Sequence, residues 1–308
     1  MSFTSDRPLR IGTRRSPLAM AQAEMTMAAI KQAHGLQDDA VQLVPMLATG
    51  DKIQDRPLAE IGGKALWTKE LERALIDDQI DIAVHSMKDV ETVRAGVFSI
   101  SAMLPRADVR DRLIGAESIE VLPEGARVGT SSPRRSAQLQ RLRPDLQIVP
   151  LRGNVATRLA HIAAGDADAT LLAAAGLDRL GMPDVGFALS LDHFLPAASQ
   201  GAVGIDRLSS RDDLVPLLDA INDPDTYATV MAERHLLEAI GGNCHSPVAA
   251  FAQIEADHIR LRAEIFTADG REMQSGKIVF AAGVDGPSQL AIELLTVASV
   301  RLRAIFNP

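Results

Sequence analysis

The chain contains 308 residues, a length that exceeds the usual size of one hydrophobic core and suits two or three compact domains. Hydrophobic residues make up 46% of the sequence and charged residues 23%, so the composition excludes a disordered or fibrous chain. The formal net charge of −8 argues against a nucleic-acid-binding protein, because binding to phosphates requires a basic face.

Targeting and redox features of the sequence are few. The first eight residues contain no apolar run of the signal-peptide type, and no stretch approaches the ~18 apolar residues of a membrane span. We therefore expect a cytoplasmic protein that binds no membrane. The single cysteine, Cys244, excludes an internal disulfide and a multi-cysteine metal cluster, and the histidines show no metal-ligand spacing, so no metal site is expected.

Two strand-turn-helix units occur along the chain. Residues 9–13 predict a short strand, and Ser16-Pro17 predicts the start of a helix through about residue 30, with serine as the cap and proline at the first helical position. The same pattern returns at residues 128–133, followed by a helix to about residue 142. Predicted strands that begin with an aspartate, at residues 81–86 and 168–173, form a second internal repeat. Both repeats indicate two similar α/β lobes.

The rest of the chain predicts a crossover and a third domain. Residues 201–206 and 213–222 predict a strand and a helix by which the chain returns to the first lobe. A helix from Asp223-Pro224 to about residue 240 follows, and Gly241-Gly242 ends it. The remaining predicted elements are strands over residues 248–254, 259–266 and 277–282 and a final helix over residues 287–304.

The predicted fold is α/β, with two lobes built on mixed, mainly parallel sheets and a small α+β domain at the C-terminus. Ligands of open α/β sheets bind outside the carboxyl ends of strands, so functional residues are expected in the turns that follow strands. Residues 50–63 have mixed charge and are interpreted as a mobile loop, a candidate lid. The predicted boundaries are 1–104 with 201–222 for the first lobe, 105–200 for the second and 223–308 for the C-terminal domain.

Arginine is concentrated in the second lobe. Residues 125–180 contain eight arginines, no lysine and four acids. Arg134 and Arg135 lie in the first turn of a predicted helix, and Arg14 and Arg15 precede another, where unpaired N–H groups already favour anions. Guanidinium groups bind carboxylates through two parallel hydrogen bonds, so the pattern predicts a cleft that binds planar oxyanions. The alternative is a set of solvated or internally paired surface arginines.

A second polar motif, His85-Ser86-Met87-Lys88-Asp89, follows the predicted strand over residues 81–84. It places a carboxylate, an ammonium group and a hydroxyl at the carboxyl end of a strand, which is typical of a functional site. The alternative is that Asp89 only caps the next segment and pairs with Lys88.

Cys244 lies between a predicted helix and a predicted strand. From its spacing alone, an inert buried thiol is the favoured interpretation. A cysteine hydrolase that uses Cys244 with His245 is one functional alternative, although it leaves the arginines without a role. A dicarboxylate-binding or sensor protein is another, and phosphate-loop and dinucleotide motifs are absent from the sequence.

As whole motifs, the chain from Arg10 through the C-terminal domain resembles the porphobilinogen deaminase family, also called hydroxymethylbilane synthase. The segments that carry the resemblance keep their order and are jointly specific. They are residues 10–19, Gly62-Gly63-Lys64, His85-Ser86-Met87-Lys88-Asp89, Gly129-Thr130-Ser131-Ser132, Arg134-Arg135, Leu151-Arg152-Gly153-Asn154, Gln200-Gly201-Ala202 and Gly241-Gly242-Asn243-Cys244.

The resemblance implies a three-domain transferase whose first two domains are similar to the lobes of periplasmic binding proteins. Such an enzyme deaminates four porphobilinogen molecules and joins them head to tail on a dipyrromethane primer, releasing hydroxymethylbilane for haem biosynthesis. The dipyrromethane is carried as a thioether on a cysteine matched by Cys244, and Asp89 matches the catalytic aspartate. The resemblance implies neither a metal nor a nucleotide, and it implies a monomer.

The resemblance also assigns binding residues. Each porphobilinogen brings an acetate and a propionate side chain, so a growing chain accumulates carboxylates. The resemblance therefore implies that the arginines concentrated in the second lobe bind these carboxylates. Cofactor-binding positions are matched by Lys88, Ser131, Arg134, Arg135 and Arg158. Substrate-binding positions are matched by Arg14, Ser16, Arg152, Arg179, Lys64 and Gln200.

The chain departs from the family pattern at a few positions. Ala65 and Trp67 stand where glycine and phenylalanine are common, and Glu91 replaces the usual proline. Ala198-Ser199 precedes Gln200 where Val-Gly or Pro-Gly is usual. None of these departures removes a charged catalytic group.

Overall fold

A computed structural model of the chain describes residues 3–47 and 68–306. The predicted lid over residues 50–63 and Lys64 therefore lie outside the described residues. The chain divides into two compact units, Met1–Arg106 with Ala202–Tyr227 and Ala107–Gly201 with Ala228–Pro308. These units differ from the three predicted ranges, and the three-domain boundaries stay a prediction.

The helices and strands follow one another in the order that an α/β protein requires. The strands are β1 Leu9–Arg14, β2 Val41–Met46, β3 Ile82–Ser86, β4 Phe98–Met103, β5 Asp111–Ile114, β6 Arg127–Gly129, β7 Gln147–Val149, β8 Ala169–Ala173, β9 Phe187–Ala188, β10 Val203–Leu208, β11 Val248–Glu255, β12 His258–Phe266 and β13 Met273–Ala281. The helices are α1 Pro17–His34, α2 Lys69–Ile76, α3 Pro133–Leu142, α4 Val155–Ala163, α5 Ala174–Arg179, α6 Val215–Asp219, α7 Pro224–Ala239, α8 Gly286–Val297 and α9 Val300–Arg303.

The first unit is built on a mixed sheet with strand order β2-β1-β3-β10-β4. β1 pairs in parallel with β2 and β3, whereas β10 is antiparallel to β3 and β4. Leu9, Ile11 and Ile82 are fully buried in the core of this sheet. Because β1 and β3 are parallel neighbours, the turns after Arg14 and after Ser86 lie at the same edge of the sheet.

Helix α1 begins where the sequence predicts. The Ser16 hydroxyl accepts a hydrogen bond from the Ala19 amide at 3.3 Å, and Pro17 occupies the first turn. Gly35 ends the helix at a φ of 62°, a left-handed conformation that glycine adopts without a Cβ clash. The local pattern of serine, proline and glycine therefore fixes both ends of this helix.

The second unit contains a sheet of strand order β7-β6-β8-β5-β9. Here β6 is parallel to β7 and β8, and β5 is antiparallel to β8 and β9. The Ser132 hydroxyl caps α3 by accepting from the Arg135 amide at 3.4 Å. The two strand-turn-helix units, β1 with α1 and β6 with α3, thus fold alike. In each, a serine caps the helix that follows the carboxyl end of a parallel strand.

The same unit contains a three-stranded antiparallel sheet, β11-β12-β13. Leu236 of α7 and Leu290 and Leu294 of α8 join the core that includes Leu261 of β12. The predicted α/β fold with a small α+β part at the C-terminus is confirmed. None of the helices in the described ranges has both the length and the hydropathy needed to cross a bilayer.

One predicted element is wrong in detail. The single final helix expected over residues 287–304 is two helices, α8 and α9, separated by Ala298 in an extended conformation. The Ser299 hydroxyl accepts from the Leu302 amide at 3.0 Å and so begins α9 as its cap. A serine that caps a new helix competes with continuation of the preceding one, which explains the break.

Candidate functional site

The turns after β1 and β3 form a polar cavity of about 60 Å³ in the first unit. Arg14, Ser16, Ser86 and Asp89 line it together with Gln22. β3 itself extends through Ser86, so His85 and Ser86 belong to the strand, and a single 3-10 turn over Met87–Asp89 then presents Asp89. The structure brings together three predicted residues, Arg14, Ser16 and Asp89, and leaves Lys88 half-buried on the same turn.

Gln22 is a further lining residue that the sequence analysis missed. It is 2% exposed, and its Nε2 donates to the Ser86 hydroxyl at 2.8 Å while that hydroxyl donates to its Oε1 at 3.0 Å. The available signal was its position: Gln22, Ala23, Thr26 and Ile30 follow the helical repeat and form the buried face of α1. A glutamine on a buried helix face requires a polar partner.

A buried charge network lies beside β3. Arg94 binds Glu72, Asp206 and Glu91, the last at 2.9 Å, and Glu91 also accepts from the Thr68 hydroxyl at 2.8 Å. Glu91, which stands where the family usually has proline, is therefore a partner within this network. Buried carboxylates of this kind are stable only when they are paired.

His85 borders this network and is fully buried, with its Nε2 3.5 Å from Asp206 Oδ2. Burial lowers the pKa of His85, and the field of Asp206 only partly opposes this effect. The imidazole is therefore neutral at pH 7.

The first unit also has a larger cavity, of about 350 Å³, lined by Asp78, Asp81 and Arg211 among others. Asp81 is paired within the protein, because Arg10 and Arg211 donate to its carboxylate at 3.0 and 3.2 Å. Asp81 precedes β3, so this cavity lies at the opposite end of that strand from Asp89. We do not assign it to the site.

The second unit places the predicted arginines after the parallel strands of its own sheet. The Ser131 hydroxyl donates to the Leu151 carbonyl at 3.1 Å and thereby joins the turn after β6 to the turn that carries Arg152. Arg152 and Arg158 are half-buried, and Arg158 Nε donates to the Gly153 carbonyl at 3.0 Å. Arg179 donates to the Gly201 carbonyl at 2.7 Å, and burial lowers its pKa.

Arg134 and Arg135 are more deeply placed than a helix-terminal position suggests, with 3% and 6% of their surface exposed. Arg134 donates to Asp111 Oδ2 at 2.7 Å and to the Leu195 carbonyl at 2.6 Å. Arg135 donates to Asp111 Oδ1 at 2.6 Å and to the Leu171 carbonyl at 2.9 Å. The two guanidinium groups are therefore held on one carboxylate.

Asp111 is a neighbour of Arg134 and Arg135 that the sequence analysis missed, because it lies outside the arginine-rich segment and no short-range pattern links it to the two arginines. Burial by itself would raise the pKa of Asp111, but Arg135 and Arg134 hold that pKa far below its usual range. Gln200, a predicted substrate-binding residue, is also buried and donates to Asp111 Oδ1 at 2.9 Å and to the Val109 carbonyl at 2.8 Å.

Cys244 lies in the turn between α7 and β11, is exposed and forms no disulfide. The burial of this thiol that its spacing favoured is therefore wrong, because Asn243, Cys244 and His245 are all exposed. The turn is shaped by Asn243, whose backbone N–H donates to the Ser246 hydroxyl at 3.0 Å and whose side-chain oxygen accepts from the His245 backbone N–H at 2.8 Å.

The described residues thus supply two kinds of group that a covalently held polycarboxylate would need. The first is an accessible thiol, and the second is a set of arginines, two of which share a single carboxylate. Within residues 3–47 and 68–306, no cluster of three or more histidine, cysteine, aspartate or glutamate side chains could hold a metal ion.

Two family models match the chain. Residues 9–215 match "Porphobilinogen deaminase, dipyromethane cofactor binding domain", and residues 227–297 match "Porphobilinogen deaminase, C-terminal domain". A porphobilinogen deaminase of Sphingopyxis alaskensis is 57% identical over 98% of both chains. A porphobilinogen deaminase of Paracoccus denitrificans is 48% identical over 93% of both chains.

A solved structure is similar at lower identity. A nutrient-binding protein from Burkholderia cenocepacia, bound to methionine, is 16% identical, with a TM-score of 0.43 over 71% of this chain and 93% of that chain. No function is inferred from this likeness.

Proposed function

Because this chain belongs to the porphobilinogen deaminase family, a family of transferases in porphyrin biosynthesis, we propose that it joins four porphobilinogen molecules head to tail on a dipyrromethane primer and releases hydroxymethylbilane. The observation that carries the proposal is the shared cavity of Asp89 and Arg14 at the carboxyl ends of β3 and β1. This cavity offers a carboxylate for a developing cation next to a guanidinium for a substrate carboxylate.

Asp89 is the proposed catalytic residue. Loss of ammonia from porphobilinogen leaves a positive charge on the pyrrole, and a fixed carboxylate beside the pyrrole N–H stabilises that charge. The 3-10 turn places Asp89 directly after β3, and the Gln22–Ser86 pair joins the last residue of that strand to α1. Lys88 on the same turn adds an ammonium group for a cofactor carboxylate.

The covalent attachment proposed for the dipyrromethane is a thioether to Cys244. When bound, this cofactor supplies the pyrrole carbon to which the first porphobilinogen is joined. The exposed thiol of Cys244 fits this role, because a buried thiol would leave no room for a substituent.

The remaining proposed roles concern carboxylate binding. Ser131, Arg134, Arg135 and Arg158 are proposed to bind the cofactor with Lys88. Arg14, Ser16, Arg152, Arg179, Gln200 and Lys64 are proposed to bind porphobilinogen and the growing chain, with Lys64 lying outside the described residues. We also propose the three-domain division given by the sequence and a cytoplasmic monomer that binds neither nucleic acid nor membrane.

The test is the intact mass of the purified protein beside that of Cys244→Ala, with an aldehyde colour test for pyrroles. We expect the wild type to carry the added mass of two linked pyrrole units and Cys244→Ala to lack it. An unmodified wild-type mass that persists after incubation with porphobilinogen would contradict the proposal and favour a dicarboxylate-binding protein.

A further inference from the structure

Four side chains in the second unit form a buried group that we call the Asp111 cluster: Asp111, Arg134, Arg135 and Gln200. Asp111 is the first residue of β5, and its carboxylate has no exposed surface. Each carboxylate oxygen accepts from one guanidinium, and Gln200 shares one of the two oxygens. The carboxylate therefore fixes the distance and orientation of both guanidinium groups relative to each other.

The charges of this cluster do not balance. Two guanidinium groups and one carboxylate leave one positive charge in excess, and a buried charge without a counter-ion is unfavourable by several kcal/mol. Glu264 is a further carboxylate whose field reaches Arg134, but burial raises the pKa of Glu264 and so weakens it as a counter-ion. The cluster therefore favours an additional anion.

The hydrogen-bonding capacity of the cluster is also unfilled. A guanidinium has five N–H donors, and the bonds to Asp111, Leu195 and Leu171 use two on each arginine. In the described part of the chain, the Nε of Arg134 and the Nε of Arg135 are both buried without a hydrogen-bond partner. A buried N–H group without an acceptor destabilises the folded protein, so these two donors also favour a bound acceptor.

We propose that Asp111 is a positioning residue for pyrrole carboxylates: it clamps Arg134 and Arg135 in one arrangement and neutralises only one of their charges, leaving the other for an incoming carboxylate. This inference rests on the proposed function, since it takes the carboxylates of the primer and the growing chain as the anion. The exposed Arg143–Asp145 pair in the same unit differs, because one guanidinium donating twice to one carboxylate at 2.7 Å leaves no charge in excess.

The experiment uses Asp111→Ala, which removes a carboxylate of the size of formate. We expect the fraction of purified protein that carries the pyrrole mass to fall at least about tenfold, because the two guanidinium groups then repel each other. For the molecules that are loaded, the half-saturating concentration of porphobilinogen should rise by a similar factor. Sodium formate should restore the half-saturating concentration, and sodium chloride of equal ionic strength should not.

Asp145→Ala is the matched control, because it removes an aspartate from the exposed Arg143 pair in the same unit. It should load and turn over as the wild type does, in either salt. Folding of each variant is measured by thermal unfolding in both salts, so that a recovery of half-saturation is separated from a recovery of folding.

The inference is overturned if folded Asp111→Ala has the wild-type loaded fraction and half-saturating concentration, or if formate and chloride act alike on it. Should Asp111→Ala not fold, Asp111→Glu keeps the charge and shifts it by one methylene, and wild-type half-saturation in that variant would overturn the inference. A wild type without the pyrrole mass contradicts the proposed function instead, so the two failures are distinguishable.

Discussion

Gln22 and Ser86 exchange two hydrogen bonds that join the buried face of α1 to the last residue of β3. Ser86 is followed directly by the turn that presents Asp89, so the pair connects the first helix of the chain to the proposed catalytic carboxylate. Because Gln22 is 2% exposed, its side-chain amide depends on a partner within the protein, and Ser86 supplies both hydrogen bonds.

Replacing Gln22 by leucine should therefore lower both stability and turnover. The half-buried Ser86 hydroxyl would lose both hydrogen bonds to Gln22, which costs about 1–2 kcal/mol of the free energy of unfolding, and the strand end before Asp89 would lose its link to α1. Urea unfolding and turnover of loaded protein measure the two effects. Gln289→Leu is the control, because Gln289 bonds Glu293 on the exposed face of α8, and equal behaviour of the two variants would contradict the prediction.

Asp89→Asn should keep the covalent cofactor and lose turnover. The amide preserves the shape of the side chain but cannot stabilise a cation, so we expect turnover to fall by about 10²-fold or more. Intact mass checks loading and product formation checks turnover, with exposed Asp184→Asn as the control. Near-normal turnover of Asp89→Asn would remove Asp89 from the catalytic role.

His85 should make stability depend on pH. Burial lowers the pKa of His85, with Arg94 acting in the same direction and Asp206, Glu72 and Glu91 opposing. The unfolded chain, with a histidine pKa near ~6.5, therefore binds the proton more readily than the folded protein. The stabilisation is complete above that pH and is lost as the pH falls from there toward the lower pKa of the folded state.

Urea unfolding at about pH 7.5 and about pH 5.5, on either side of the unfolded pKa, tests this. The wild type should lose more free energy of unfolding between these values than His85→Gln, which has no proton to bind. His235→Gln, at an exposed position of α7, should behave as the wild type. An unchanged pH dependence in His85→Gln would show that His85 is not the responsible group.

Short-range signals predicted much of this fold. The serine caps of α1 and α3 and the prolines that follow them act within a few residues of each other, so the sequence alone was enough to predict both helix starts. The alternation of strands with helices likewise predicted parallel pairing, and β1 with β3 and β6 with β8 are such pairs. The short strands β5 and β9, of four and two residues, lie below what periodicity can detect.

The candidate site was less predictable where it depends on contacts between distant residues. Sequence pattern identified Arg134 and Arg135 but could not indicate that Asp111, 23 and 24 residues away, holds them both. The exposure of Cys244 could not be derived from its spacing either. The resemblance to a family supplied its proposed role, and the structure supplied only its accessibility.

Glu233 offers a last prediction on the second unit. Its buried carboxylate accepts from the Ser199 amide at 2.6 Å and from the Ala252 amide at 2.7 Å, joining the segment before Gln200 to β11. Ser199 has a φ of 66°, a conformation unfavourable for a residue other than glycine, so this backbone depends on such support.

Glu233→Gln should lower the free energy of unfolding by about 2–3 kcal/mol, because an amide has one acceptor oxygen and would turn its NH₂ group toward the other backbone N–H. Urea unfolding measures the change, and Glu238→Gln, on the exposed side of the same helix, is the control. If the two variants unfolded alike, the hydrogen bonds of Glu233 would contribute no more than a solvated carboxylate does.

Combining Glu233→Gln with Ser199→Gly, which relieves the strained φ, should recover part of the lost free energy of unfolding, since the backbone would then need less support.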